Sequence, residues 1–206
     1  MNAQNLYSKI AGLYDIGLWL NGYKGAANFI VGKLPFSVND SFKVLDAGCG
    51  SGLYSIAILK RFPNAQVVAF DLNQGMTEKM KNNLASHGFE NRAQVFVGNV
   101  LENINTDERD FDLIITGGVL EYVEIKQAVQ NLTRYLRSSG YFLNSAVRDN
   151  WLGNLLAKWF GFTPHSSEKN ISAFEENGLK LRESIKIPFQ YFPICLIKSA
   201  DIFKKL

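Results

Sequence analysis

The chain has 206 residues, 47% hydrophobic, 20% charged and 13% aromatic, a length and balance that make one folded domain with a sizeable core and exclude a fibre, a tail or a two-domain chain. About 70% of the unfolded surface can be buried at this size without staples, and two cysteines, Cys49 and Cys195, are too few for a disulfide framework or a four-thiolate zinc site. A net charge of +3 excludes a dedicated nucleic-acid binder, whose phosphate track needs a clustered basic excess.

Residues 6–20 and 25–34 read as two helices ahead of Pro35. Lys9 and Asp15 interrupt the first, so it does not form a signal peptide, and with the cysteine count this makes a reducing cytoplasm the expected compartment. From Lys43 onward, short apolar runs alternate with longer amphipathic ones. Strands are expected at 43–47, 66–71, 93–97, 111–116 and 141–147, each apolar along most of its length, as strands buried on both faces are. Helices are expected at 51–62, 73–87 and 124–136. This alternation predicts an α/β fold with a doubly wound, mostly parallel sheet. After the fifth strand come an aromatic helix at 151–162 and a short one at 167–177. The runs 178–187 and 189–200 are too close, across Pro188, for a helical crossover and should pair antiparallel as the last of seven strands.

The informative segment is Val44-Leu45-Asp46-Ala47-Gly48-Cys49-Gly50-Ser51-Gly52-Leu53, a buried strand entering three alternate glycines and then a helix. Glycines let the backbone approach a ligand where a Cβ would collide, and the helix start offers free N–H groups. The dinucleotide pattern G-x-G-x-x-G would place its third glycine at Leu53, so that reading fails by one residue. The Gly-Lys-Ser/Thr of a phosphate loop is missing as well. Asp71 ends the second strand nineteen residues after Gly52, where an acid can accept from both ribose hydroxyls, a feature shared by nicotinamide-dependent enzymes. The third strand runs into Gly98-Asn99-Val100, and the fourth into Gly117-Gly118-Val119-Leu120-Glu121-Tyr122, at the carboxyl edge where open α/β sheets bind ligands.

This ordered set resembles the class I S-adenosylmethionine-dependent methyltransferases, whose first motif has the form acid-x-Gly-x-Gly-x-Gly, matched by Asp46, Gly48, Gly50 and Gly52. The resemblance covers about residues 40–200 and implies a Rossmann-like fold, S-adenosylmethionine as cofactor and methyl transfer as the activity. It implies cofactor-binding roles for Tyr14, Asp46, Gly48, Cys49, Gly50, Gly52, Asp71, Leu72, Met76, Asn99, Val100 and Gly117. Asp46 would orient the cofactor's ammonium, Asp71 its ribose, Leu72 its adenine. Asn99 departs from the family's commoner acid but can still accept from an adenine amino group. Met76 is a core or an adenine contact, and Tyr14, with Tyr7, belongs to a lid over the cofactor or to helix-to-sheet packing. Glu121 is the catalytic candidate, for orienting or deprotonating the acceptor, against the plainer role of a helix-start carboxylate.

The whole chain, 1–206, is expected to be a single methyltransferase domain: residues 1–40 form a helical lid across the carboxyl edge, 41–147 the cofactor-binding core, and 148–206 the acceptor-side helices and final strand pair. Trp19, Trp151, Trp159, Phe160 and Phe162 lie where the family builds its acceptor pocket, suggesting a small apolar or lipid-like acceptor; a dimer interface or core packing is the alternative. His87 should cap a helix or pack at the surface, His165 should be a solvated loop residue, and no metal site is readable. From Glu124 on, twelve Lys and Arg face seven Asp and Glu, against ten and twelve before it, a surplus compatible with peripheral contact with a lipid surface. A cofactor-binding module without chemistry is the alternative function.

Overall fold

Each of the expected apolar runs between residues 25 and 136 becomes a strand or helix within a few residues of its sequence position. The computed structural model describes residues 22–206. In chain order these form helix α1 (Tyr23–Val31), strand β1 (Lys43–Ala47), α2 (Leu53–Arg61), β2 (Gln66–Asp71), α3 (Gln74–Ser86), β3 (Ala93–Val97), β4 (Phe111–Gly117), α4 (Ile125–Thr133), β5 (Leu136–Ser145), α5 (Trp151–Phe160), α6 (Ser167–Glu175), β6 (Leu179–Ile185), a short α7 (Ile194–Ile197) and β7 (Ala200–Lys205). The strands make one seven-stranded sheet in the order β3-β2-β1-β4-β5-β7-β6. Pairs from β3 through β5 are parallel, and β7 runs antiparallel to both β5 and β6. The strand order reverses beside β1, where neighbours β2 and β4 leave on opposite sides, and a crevice opens outside the carboxyl ends.

Alternate strand residues fill two cores. Val44, Val67, Leu113, Ile115 and Leu143 face α1, α2 and α3, while Leu45, Val68, Ile114, Phe142 and Phe203 face α4 and α6. Four helices start on side-chain caps that accept a free backbone N–H: Asn73 from Met76 N at 3.3 Å, Glu124 from Gln127 N at 2.8 Å, Asn150 from Gly153 N at 2.8 Å and Ser166 from Lys169 N at 3.2 Å, each contributing about 1 kcal/mol.

The last antiparallel pair forms, but its second strand is not 189–200. That stretch folds as a 3-10 turn, Phe189–Tyr191, and the short helix α7, because Pro188 and Pro193 have no N–H to give a ladder. The strand is Ala200–Lys205, inserted between β5 and β6. Strand five starts earlier than expected, at Leu136, with a register break before Leu113 and Tyr141 pair. Of the two N-terminal helices, the first lies outside the described residues. The second, α1, does not cross the carboxyl edge: Ala26, Ile30 and Val31 bury against α2 on one sheet face, and Tyr23 alone of its residues reaches the crevice. Among the described residues, no helix is long and apolar enough to cross a membrane.

Candidate active site

The β1–α2 loop forms the floor of the crevice. Gly48 and Gly50 adopt φ of +75° and +52°, values that L side chains seldom tolerate. Gly48 N and Cys49 N donate to Phe70 O at 2.8 and 3.0 Å, which ties the loop to the end of β2. A Cβ on Gly48 would come within 2.3 Å of Val119 Cγ2, whereas one on Gly50 would meet nothing within 4 Å. The first glycine therefore serves internal packing, and the second opens the floor to a ligand. Helix α2 begins beyond them with no side-chain cap, leaving its first N–H groups as donors.

Two acids flank this loop in different states. Asp46 is 2% exposed and its Oδ2 accepts from Ser55 Oγ at 2.5 Å. Burial pushes its carboxyl up to about 6, the Ser55 hydroxyl partly offsetting this and the Asp71 charge adding to it. Asp71 Oδ2 accepts from Gly50 N at 2.8 Å and Oδ1 from Asn73 N at 2.9 Å. Each oxygen keeps a further lone pair. Burial raises the Asp71 carboxyl and those two amides oppose the rise. Cys49 is buried beside both acids, and burial above all pushes its thiol well up, so it is a small loop residue rather than a thiolate.

On the Asp71 side lies a cavity of about 310 Å³ whose walls include Phe70, Leu72, Met76, Gly98, Asn99 and Val100. Met76 and Val100 are buried, and Leu72 stands exposed on the rim. The Asn99 side chain turns back on its own loop, Oδ1 accepting from Leu101 N at 3.0 Å and Nδ2 donating to Glu102 Oε1 at 2.9 Å, which leaves one N–H and one lone pair for a ligand. On the other side of the loop a second cavity, of about 150 Å³, includes Asp46, Tyr23, Tyr54, Glu121 and Lys198 among its polar walls. Leu156 and Phe160 from α5, with Phe162 and Ile197, supply apolar ones. Gly48, Gly50, Gly117, Gly118 and Tyr122 border both cavities, so the two meet over the ends of β1 and β4.

Glu121 sits in the 3-10 turn Leu120–Tyr122, not at a helix start, and is 4% exposed. Its Oε1 accepts from Val147 N, and its Oε2 is buried without a hydrogen-bond partner. Burial raises the Tyr23 hydroxyl to about 12 and that of Tyr54 further, the Glu121 charge contributing to both, so the tyrosines face the cavity as neutral donors.

Several expectations change here. Tyr14, Tyr7 and Trp19 lie outside the described residues. Trp151 and Trp159 do not line the acceptor side; both are 77% exposed, because α5 turns Leu156 and Phe160 inward and they fall on its other face. His165 is not a solvated loop residue but is buried, its Nε2 3.2 Å from Leu120 O, drawn in by a short parallel bridge between Arg148 and His165. His87 does cap α3, its Nδ1 2.7 Å from Asn83 O, and Cys195 is core. Among the described residues no group of three metal-ligating side chains occurs. Sequence reasoning missed Tyr23, Tyr54, Leu156 and Lys198. The lysine interrupting an otherwise apolar run at 192–200 was a readable signal.

The donor set suits S-adenosylmethionine. Asp71 has lone pairs for two ribose hydroxyls, an apolar slot lies beside it, Gly50 leaves the loop open, and Asp46 and the free start of α2 can meet an amino-acid end bearing both charges. Comparison with known proteins agrees. A family model described as a methyltransferase domain matches residues 44–140. A ribosomal protein L11 methyltransferase of Syntrophomonas wolfei is 29% identical over 64% of this chain and 42% of its own length. A malonyl-[acyl-carrier protein] O-methyltransferase of Priestia megaterium is 25% identical over 82% of this chain and 68% of its own. The chain thus spans less than half of the first and about two thirds of the second. Among solved structures, a geranyl diphosphate methyltransferase in complex with S-adenosylmethionine superposes with a TM-score of 0.75 at 16% identity, covering 89% of this chain and 85% of that one, a likeness of fold. In its motifs, its fold and these relatives, the chain is similar to the class I S-adenosylmethionine-dependent methyltransferases, and its donor set suits S-adenosylmethionine.

Proposed function

We propose that this protein transfers a methyl group to a small acceptor with an apolar, lipid-like body, by direct displacement. The observation that carries the reading is the junction of two unlike cavities over Gly48, Gly50, Gly117 and Gly118: one suits a nucleoside, the other has apolar walls and a buried carboxylate. The cofactor, when bound, supplies an electrophilic methyl on a sulfonium that is already activated, so positioning and exclusion of water account for much of the acceleration. This chain's residues do the rest. Asp71, Leu72, Met76, Asn99 and Val100 hold the nucleoside; Asp46, Cys49, Gly50 and Gly52 take the amino-acid end. Glu121 Oε2, orphaned at the cavity wall, orients the acceptor or accepts its proton. Leu156, Phe160, Phe162 and Ile197 exclude water around it.

The malonyl-[acyl-carrier protein] O-methyltransferase relative supports a small or carrier-linked acceptor over a nucleic acid. On this reading residues 41–147 are the cofactor core and 148–206 the acceptor side, with Tyr23 of α1 at the crevice and Tyr14 adding to the enclosure. The exposed Trp151, Leu155 and Trp159 on α5 give peripheral lipid contact a place beside the acceptor cavity. Incubation with methyl-labelled cofactor and fractionated host metabolites, followed by mass analysis, tests the activity. Labelled product in a small-molecule or lipid fraction is the expected result; cofactor binding with transfer to no fraction would favour the module without chemistry. Glu121→Gln, whose amide oxygen can still accept from Val147 N, should slow single-turnover transfer while leaving S-adenosylhomocysteine affinity unchanged. An unchanged rate would remove Glu121 from the mechanism.

A further inference from the structure

Lys198 follows α7 with its backbone held on both sides. Its N donates to Ile194 O at 2.9 Å, its O accepts from Arg148 Nε at 2.9 Å, and it bridges Val147 in antiparallel fashion. The side chain is only 7% exposed and lines the acceptor-side cavity. Its ammonium rests against the turn at the end of β4, where a Cβ on Gly118 would lie 3.0 Å from Nζ. The second glycine of that turn thus leaves room for the lysine head at the junction of the two cavities.

An ammonium has three N–H donors, and among the described residues Nζ makes one hydrogen bond, to Ser145 O at a long 3.4 Å. Nor does Glu121 satisfy it: Glu121 Oε1 accepts from Val147 N and Oε2 has no hydrogen-bond partner. A buried cation with donor capacity to spare costs free energy until an anion reaches it. Burial accordingly lowers the lysine's hold on its proton, with the Glu121 charge opposing. The walls of the cavity are mixed, with Leu156, Phe160, Phe162 and Ile197 on the apolar side and the Glu121 and Asp46 carboxylates and the Tyr23 and Tyr54 hydroxyls on the polar side.

We propose that Lys198 anchors a carboxylate on the methyl acceptor, which makes the acceptor an apolar molecule ending in a carboxylate rather than a simple alcohol or an amine. The inference rests on the methyl-transfer reading above and names the substrate class of that site. Leu156, Phe160 and Ile197 take the acceptor's body. Its carboxylate supplies the charged partner that Ser145 O cannot, and a cationic amine there would meet the ammonium as a like charge.

The test uses the full chain saturated with S-adenosylhomocysteine and titrated calorimetrically with octanoate, octanol and octylamine. Wild type should bind octanoate at least about tenfold more tightly than either neutral or cationic probe, as a charge-assisted contact implies. Lys198→Met, which keeps the length of the stem, should erase that preference while S-adenosylhomocysteine affinity stays within about twofold. Lys198→Gln repeats the measurement should the methionine variant fail to fold, and the wild-type ranking stands by itself if both fail. Octanol or octylamine binding as well as octanoate, no octanoate binding, or a preference that survives loss of the ammonium would overturn the proposal. So would an equal loss of S-adenosylhomocysteine affinity in the variants, which would put Lys198 on the cofactor's side. Failure of wild type to bind S-adenosylhomocysteine would instead remove the methyl-transfer reading on which the proposal depends.

Discussion

Replacing Asp71 by alanine separates a ligand-binding acid from one that merely holds a loop. Its carboxylate fixes Gly50 N at 2.8 Å and Asn73 N at 2.9 Å, so the apo fold should lose about 1–2 kcal/mol, water replacing part of the lost bonding at this half-buried edge. If the same carboxylate also accepts from the ribose, S-adenosylhomocysteine binding should weaken by a further 1.5–3 kcal/mol or so, roughly 10- to 150-fold. Asp112 provides the control. It accepts from Lys43 N at 2.8 Å and Arg137 Nε at 2.6 Å, a comparable backbone-fixing role at the opposite, amino edge of the sheet. Asp112→Ala should lower the melting temperature and leave S-adenosylhomocysteine affinity within about twofold. Titration calorimetry and thermal melts on both variants decide. Wild-type affinity in Asp71→Ala, or an equal loss of affinity in Asp112→Ala, would refute the ribose assignment.

Three further outcomes follow from the same geometry. The Asp46 carboxyl, raised by burial to about 6 from 3.8, binds its proton more tightly in the apo fold than in the unfolded chain. Its contribution to stability is therefore complete below about pH 4 and lost as pH rises through 6. The difference in melting temperature between wild type and Asp46→Asn should change across that window, and wild-type S-adenosylhomocysteine affinity should rise through pH 6 as a carboxylate forms to meet the ammonium. Gly48→Ala, strained at φ +75° and driving its Cβ to 2.3 Å from Val119 Cγ2, should abolish cofactor binding in the same titration, with Val119→Ala restoring only part because the backbone strain remains. Trp151→Ala and Trp159→Ala, both exposed, should leave melting temperature and S-adenosylhomocysteine affinity intact, whereas Phe160→Ala should impair labelled methyl transfer.

The cofactor half of the molecule was legible because its determinants are local. A buried strand, three alternate glycines and a helix sit in ten consecutive residues, and Asp71 lies at the end of the next strand, so the apolar pattern and the motif place each other. The acceptor half depends on contacts across the chain. Lys198 is brought to Gly118 by the packing of α7 beside the sheet, 80 positions along the chain. His165 is buried through Leu120 O, and the tryptophans of α5 point outward because Leu156 and Phe160 win the inner face. Strand β7 was displaced in the sequence reading because Asp201 and the closing Lys204-Lys205 make it look polar. Asp201 is buried with Ser184 Oγ donating to its Oδ1 at 2.6 Å, which satisfies the acid within the sheet. The run at 189–200 has apolar content enough for a strand, but its two prolines withhold the ladder.

The crystal structure of the complex with S-adenosylhomocysteine tests the central claim most directly. It should place the ribose hydroxyls on Asp71, the adenine between Leu72, Met76 and Val100, and the amino-acid end over Gly48–Gly52 beside Asp46, with the sulfur at the junction bordered by Gly117 and Gly118. Density for the ligand elsewhere on the chain, or an adenosine turned away from Asp71, would contradict it.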